Sequence, residues 1–245
     1  MTYDLLLKSG TSRQDILDLL AGLAPPDLAE PFDSGRIGLI IEGKERITKI
    51  STCLDVTPAV VRKAIESRTD LLIAHHTPIW TPLTSIGGDD ARLFSMILRS
   101  EMNVYVMHTN WDHAPGGVND ILADLLGLTE RESMSLGLVG TCSHTVEEMV
   151  RILKAPLRIW GVVEKIQRLA IAAGSGFDSA LIKEAQALGA DAFLSAELRH
   201  SVYRSSPLPL LESTHYALES PAMRVLAENH GWEYIDDLPV LLSLS

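Results

Sequence analysis

Leu71-Leu72-Ile73-Ala74-His75-His76-Thr77-Pro78 is the stretch on which the reading of this chain turns. Four apolar residues bounded by polar ones predict a short strand buried on both faces, as in a parallel sheet covered by helices. Two imidazoles follow at once. In open α/β sheets, ligand sites gather beyond the carboxyl ends of the strands, which is where this pair falls. Adjacent residues of an extended chain point to opposite sides, so His75 and His76 suit two neighbouring ions better than one. Taken alone, the pair is also open to a plainer reading in which one His caps the strand and the other is solvated.

The flanking sequence repeats the pattern. Upstream, Thr11-Ser12 before Ile16, Leu17, Leu19 and Leu20 predicts a capped amphipathic helix, ended by Gly22 and Pro25-Pro26. The β-rich runs Ile37 to Ile41 and Ile47 to Leu54 enclose Glu42-Gly43-Lys44-Glu45, which has the composition of a hairpin turn. Thr57-Pro58 supplies a cap and a first-turn proline for a helix through Ser67. Downstream, a helix around Ala91 to Arg99, a strand Val104 to Met107 and a helix Val118 to Leu126 ended by Gly127 are expected.

A second series follows. Strands are expected at Met134 to Val139 and Leu157 to Val162, with a Thr145-capped helix between them. A strand Leu169 to Ala173, a turn at Gly174-Ser175-Gly176, a helix Phe177 to Leu188 and a strand Ala192 to Leu194 complete it. Strands alternating with helices imply α/β architecture with mostly parallel sheets. The expectation is two closely packed α/β lobes, 1–130 and 131–245, with a metal site between them.

Composition removes several functional classes. With 245 residues, 46% hydrophobic and 22% charged, the chain can bury a substantial core. Its longest apolar runs fall short of the roughly 20 residues that a spanning helix needs, so no membrane segment is expected. The start Met1-Thr2-Tyr3-Asp4, with Leu5-Leu6-Leu7 and Lys8, lacks the basic opening and cleavage site of a secretory leader, and a cytoplasmic location is expected. Cys53 and Cys142 lie far apart without Cys-x-x-Cys spacing, which argues against a thiolate zinc site. A net charge of -11 argues against nucleic acid as a partner, since such binders neutralise phosphates with Lys and Arg.

Two further groups carry candidate chemistry. His108-Thr109-Asn110-Trp111-Asp112 again follows a strand, and Asp112 can be a hard carboxylate ligand or a turn residue. In His215-Tyr216-Ala217-Leu218-Glu219 the i,i+4 spacing aims imidazole and carboxylate the same way if the segment is helical. By itself that pair is a weak signal.

Leu71 to Pro78, His108 to Leu126, Gly189 to His200 and His215 to Glu219, in this order and spacing, resemble the dinuclear metal-centre family of GTP cyclohydrolase I type 2 homologues. Asp55-Val56-Thr57 and Gly174-Ser175-Gly176 belong to the same resemblance. It implies metal ligation by His75, His76, Asp112, His215 and Glu219, with two divalent ions per chain, Zn, Mn or Fe. It also implies a short form without an inserted domain, assembled as a homohexamer. Phe32-Asp33-Ser34 stands where the family usually reads Trp-Asp-Asn, and Ser195-Ala196-Glu197 where it reads Thr-Gly-Asp or Thr-Gly-Glu; the acidic residue survives in both.

The function expected from these residues is metal-dependent hydrolysis of a small molecule, with a nucleotide as the substrate that the family name implies. A divalent ion lowers the pKa of water and stabilises charge developing on oxygen without needing a basic surface. His108, Glu197 and His200 are the candidates for proton transfer, substrate contact or support of the ligands. No P-loop marks a nucleotide-phosphate site. The alternative is a non-enzymatic metal-binding scaffold or regulatory ring protein.

Overall fold

The computed structural model describes residues 10–163 and 165–241. The N-terminal stretch Met1 to Lys8 lies outside the described residues. The chain forms two compact α/β units. One takes the described residues up to Ala114 together with those from Met223 onward, and the other is Pro115–Ala222. This division differs from the expected 1–130 and 131–245. The C-terminal segment joins the first unit because Glu233–Tyr234 adds a parallel strand beside Ile50–Cys53, and Thr52 Oγ1 donates to Met223 O at 2.7 Å.

The first unit is a five-stranded sheet. Its strands are β2 (Gly38–Ile41), β4 (Ile50–Cys53), β5 (Leu71–Ala74), β6 (Asn103–Val106) and β13 (Glu233–Tyr234), in the order β13-β4-β5-β6-β2. All pairs are parallel except β2 with β6. Every residue of β4, β5 and β6 is buried, which explains the apolar runs of β5 and of β6 after Asn103. Helix α1 (Arg13–Leu23) begins at Ser12, whose hydroxyl accepts from Asp15 N. Helix α2 (Pro58–Glu66) starts as expected, with Thr57 Oγ1 accepting from Val60 N. It packs Val60, Val61 and Ala64 into a core with Leu72, Val104 and, from α3 (Gly88–Arg99), Phe94 and Ile97.

The expected hairpin around Glu42-Gly43-Lys44-Glu45 does not form. Strand β2 instead pairs with β6, while β3 (Arg46–Ile47) pairs with β1 (Thr11–Ser12). The four residues cross the amino edge of the sheet, where Gly43 N donates to Asn103 Oδ1 at 2.8 Å and Asn103 Nδ2 donates to the carbonyls of Lys44 and Asp70. Gly43 is there for close approach, since a Cβ would clash with Glu101 O. Beside it Asp70 accepts from Lys44 Nζ, Thr48 Oγ1 and Thr48 N. Burial pushes this carboxyl up, and the hydrogen bonds outweigh burial to hold it below the usual carboxylate range.

The second unit has a six-stranded mixed sheet. Its strands are β7 (Thr129–Ser133), β8 (Leu138–Thr141), β9 (Arg158–Trp160), β10 (Arg168–Ile171), β11 (Ala192–Ala196) and β12 (Leu210–Ser213), in the order β7-β8-β10-β11-β12-β9. The centre, β10-β11-β12, is parallel as expected; the flanks are antiparallel. Where one strand was expected at Met134 to Val139, the chain turns, with Met134 N donating to Gly137 O and Gly137 at φ +75. Strand β7, Thr-Glu-Arg-Glu-Ser, is exposed throughout, so it carries no apolar signature. Helix α5 (Val118–Leu125) forms as expected, and helix α6 (Val146–Leu153) is held by a reciprocal capping box between Thr145 and Glu148. Helix α7 (Ser179–Ala187) packs Leu181, Ile182 and Ala185 on Phe193. Among the described residues, no helix is long and apolar enough to cross a membrane.

Candidate metal centre

Sheet register builds the first donor group. Cys53 lies opposite Ala74, and Ala74 opposite Val106, so the residues beyond these strand ends, Asp55, His76 and His108, come out side by side. His75 Nδ1 donates to Met107 O at 2.7 Å, His76 Nδ1 to Asp55 Oδ1 at 2.7 Å, and His108 Nδ1 to Asp33 Oδ2 at 2.7 Å. A carbonyl or carboxylate can only accept, so each Nδ1 carries a proton, and in the neutral ring this leaves the lone pair on Nε2, the form in which imidazole binds metals.

His75, His76 and His108 form a group whose ligand atoms all lie within 4.8 Å of one another. The rings of His75 and His76 are neighbours, 4.9 Å apart, rather than aimed to opposite sides as expected. The physical reason is that β5 ends at Ala74. There the chain bends, with His75 N donating to Leu54 O and His76 N also donating to Leu54 O, and strand alternation no longer applies. One turn of helix α4 (Thr109–His113) brings Asp112 round, its N–H bonded to His108 O, and Asp112 Oδ1 lies 3.6 Å from His75 Nε2. Burial, then the charge of His75, outweigh the pull of Asp33 and push His108 down to about 4. It is therefore neutral at pH 7.

The second unit repeats the device. Ala196 lies opposite Ser213, which sets Glu197, just past β11, beside the start of helix α9 (His215–His230). Thr214 Oγ1 accepts from Ala217 N there. His215 Nδ1 donates to Glu197 Oε1 at 2.8 Å, and the i,i+4 spacing puts His215 Nε2 2.8 Å from Glu219 Oε2. Glu197 holds a left-handed backbone, φ 62, a conformation costing a non-glycine residue about 1 kcal/mol or more. His200 is exposed at the start of α8 (His200–Ser205), with its ring against Tyr203, and takes no part in this group.

These residues fit a divalent cation. Each unit presents an imidazole lone pair facing a carboxylate oxygen, and two such acceptors repel unless a proton or a metal ion lies against them. Gly174, at φ +65, lies against the second pair, and a Cβ there would clash with Glu219 Oε1 and come within 3.3 Å of His215 Nε2. We expect Gly174→Ala to lower metal content by at least tenfold, although residue 174 carries no ligand atom; elemental analysis after reconstitution measures it. Wild-type metal content in that variant would show that the glycine does not shape the donor pair.

Residue types alone pointed to the histidines and to Asp112 and Glu219, but not to the roles of Asp33 and Asp55. Their signal was positional: each is a carboxylate beside an established motif, Asp55 just past β4 and Asp33 between Phe32 and Ser34.

Fold and donor chemistry thus define an α/β protein with candidate divalent-metal ligands beyond the carboxyl ends of parallel strands. The chain belongs to the Duf34/NIF3 (NGG1p interacting factor 3) family, whose model matches residues 11–235. It is 30% identical to a "GTP cyclohydrolase 1 type 2 homolog" of Clostridium perfringens, over 94% of this chain and 95% of that protein. A "NIF3-like protein 1" of Drosophila melanogaster is 30% identical over 84% of this chain and 74% of that one. Among solved structures, reduced HcgD from Methanocaldococcus jannaschii is similar at TM-score 0.78 and 26% identity, covering 92% of this chain and 97% of that chain.

Proposed function

We propose that the protein is a divalent-metal-dependent hydrolase of a small molecule, with His75, His76, Asp112, His215 and Glu219 as ligands of a dinuclear centre. The observation that supports this most is the set of Nδ1-anchored imidazoles, of which His75 and His215 turn Nε2 toward the carboxylates of Asp112 and Glu219. Imidazole with carboxylate suits Zn, Mn or Fe(II). When bound, such ions polarise an oxygen of the substrate and make water acidic enough to attack at neutral pH. Asp55, Met107 O and Glu197 orient the ligating rings, and Asp33 holds neutral His108 beside them, where it can accept a proton at Nε2.

The relatives named GTP cyclohydrolase 1 type 2 homolog favour a nucleotide among the substrates to try first. We also propose a cytoplasmic homohexamer, on the resemblance of the motifs alone. The test is turnover of a panel of nucleotides, phosphoesters and cyclic amides by the reconstituted protein, with and without chelator, alongside light scattering. Turnover abolished by chelator and restored by one of the three metals is expected. Metal bound without turnover of any compound would favour a metal-binding scaffold instead.

A further inference from the structure

The histidine group of the first unit is bordered by side chains that metal binding does not explain. Trp80 is 45% exposed and Phe32 54%, yet both rings stand edge-on to His108, with centroids 5.2 and 6.3 Å away. Trp80 also lies 6.4 Å from His76. Aromatic rings left in water forgo the transfer free energy that a covering surface would supply, and exposed aromatics at a polar cluster are a usual form of ligand contact. Between them stands a cation. The Arg36 guanidinium lies 5.7 Å from the centre of the Trp80 ring and donates to Phe32 O at 2.6 Å, and Arg36 forms no salt bridge with any carboxylate among the described residues.

These residues sit on two segments that also hold the histidines. Phe32 and Arg36 flank Asp33, the partner of His108, and Trp80 follows His76 on the irregular loop between β5 and α3. Both segments therefore border the histidine group.

We propose that Trp80, Phe32 and Arg36 are the recognition element for a planar heteroaromatic ring carrying an anionic group. The rings offer faces for stacking, and the guanidinium offers paired donors to a phosphate or carboxylate. A sugar phosphate would leave both aromatic faces in water. A neutral ring would leave Arg36 without its anion. In a chain of net charge -11, this local cation is what admits an anionic ligand. The inference deepens the hydrolase reading by naming its substrate class, but binding and metal content are measured separately.

Calorimetric titration of the full chain with guanosine monophosphate, guanosine and ribose 5-phosphate tests it. The nucleotide should bind at least tenfold tighter than either fragment. Trp80→Ala should weaken it by about 5- to 100-fold, the usual range for loss of a stacking partner, and Trp80→Phe should retain it. Arg36→Ala should reduce the nucleotide to the affinity of guanosine, and metal content should be unchanged in all three variants. Nucleotide binding by Trp80→Ala at wild-type strength, ribose 5-phosphate binding as tightly as the nucleotide, or no nucleotide binding by the wild type at millimolar concentration would overturn the proposal. The expected binding pattern in a wild type that holds no metal would instead sink the metal-centre reading and leave the recognition element standing.

Discussion

Glu219→Gln is expected to lower the affinity for divalent metal by more than about 100-fold, while His200→Ala leaves it at the wild-type value. Glu219 is 4% exposed, its Oε2 is 2.8 Å from His215 Nε2, and Gly174 leaves room for its other oxygen. The amide keeps the shape but removes the charge and replaces one acceptor oxygen with a donor, which turns an N–H toward any cation held there. Loss of a supporting partner typically costs about 10–100-fold, so loss of a ligand should exceed that. His200, exposed and edge-on to Tyr203, has no such connection. Competition against a chelator of known affinity, with elemental analysis, separates the outcomes. Equal metal retention by the two variants would remove Glu219 from the ligand set.

Asn103→Ala is expected to destabilise the first unit by about 2 kcal/mol, because Gly43 N and Lys44 O lose their partner inside the protein, while Asp70 O keeps the backbone N–H of residue 103. Asn103 is fully buried, accepts from Gly43 N, and donates to Lys44 O and Asp70 O. It opens β6 at the sheet edge opposite the histidines, so folded Asn103→Ala protein should still bind metal as the wild type does. Urea unfolding, followed with and without metal, measures both. A midpoint unchanged from wild type would mean that water replaces the lost bonds.

The histidine-bearing strand end was legible because two local signals coincide in it. A four-residue apolar run with no polar alternation can only be a covered strand or a buried helix segment, and its length and punctuation chose the strand. Helix starts were equally plain at Ser12, Thr57 and Thr145, since a cap is a short-range hydrogen bond between residues three apart. Strand β7 and the path of Glu42 to Glu45 were not. Strand β7 is polar because it lies at an exposed edge, and Glu42 to Glu45 has the composition of a turn because crossing a sheet edge against Glu101 also demands glycine.

By itself, then, the sequence determined the α/β class, the strand ends that carry chemistry, and the donor types, because periodicity, caps and ligand chemistry are properties of neighbouring residues. Only the tertiary structure decided which side chain holds which imidazole. Asp33 reaches His108 across 75 positions, Asp55 reaches His76 across 21, and Glu197 reaches His215 across 18. Those distances in sequence are closed by sheet register, which depends on how whole strands bury their faces together and leaves no mark on any short stretch of the chain.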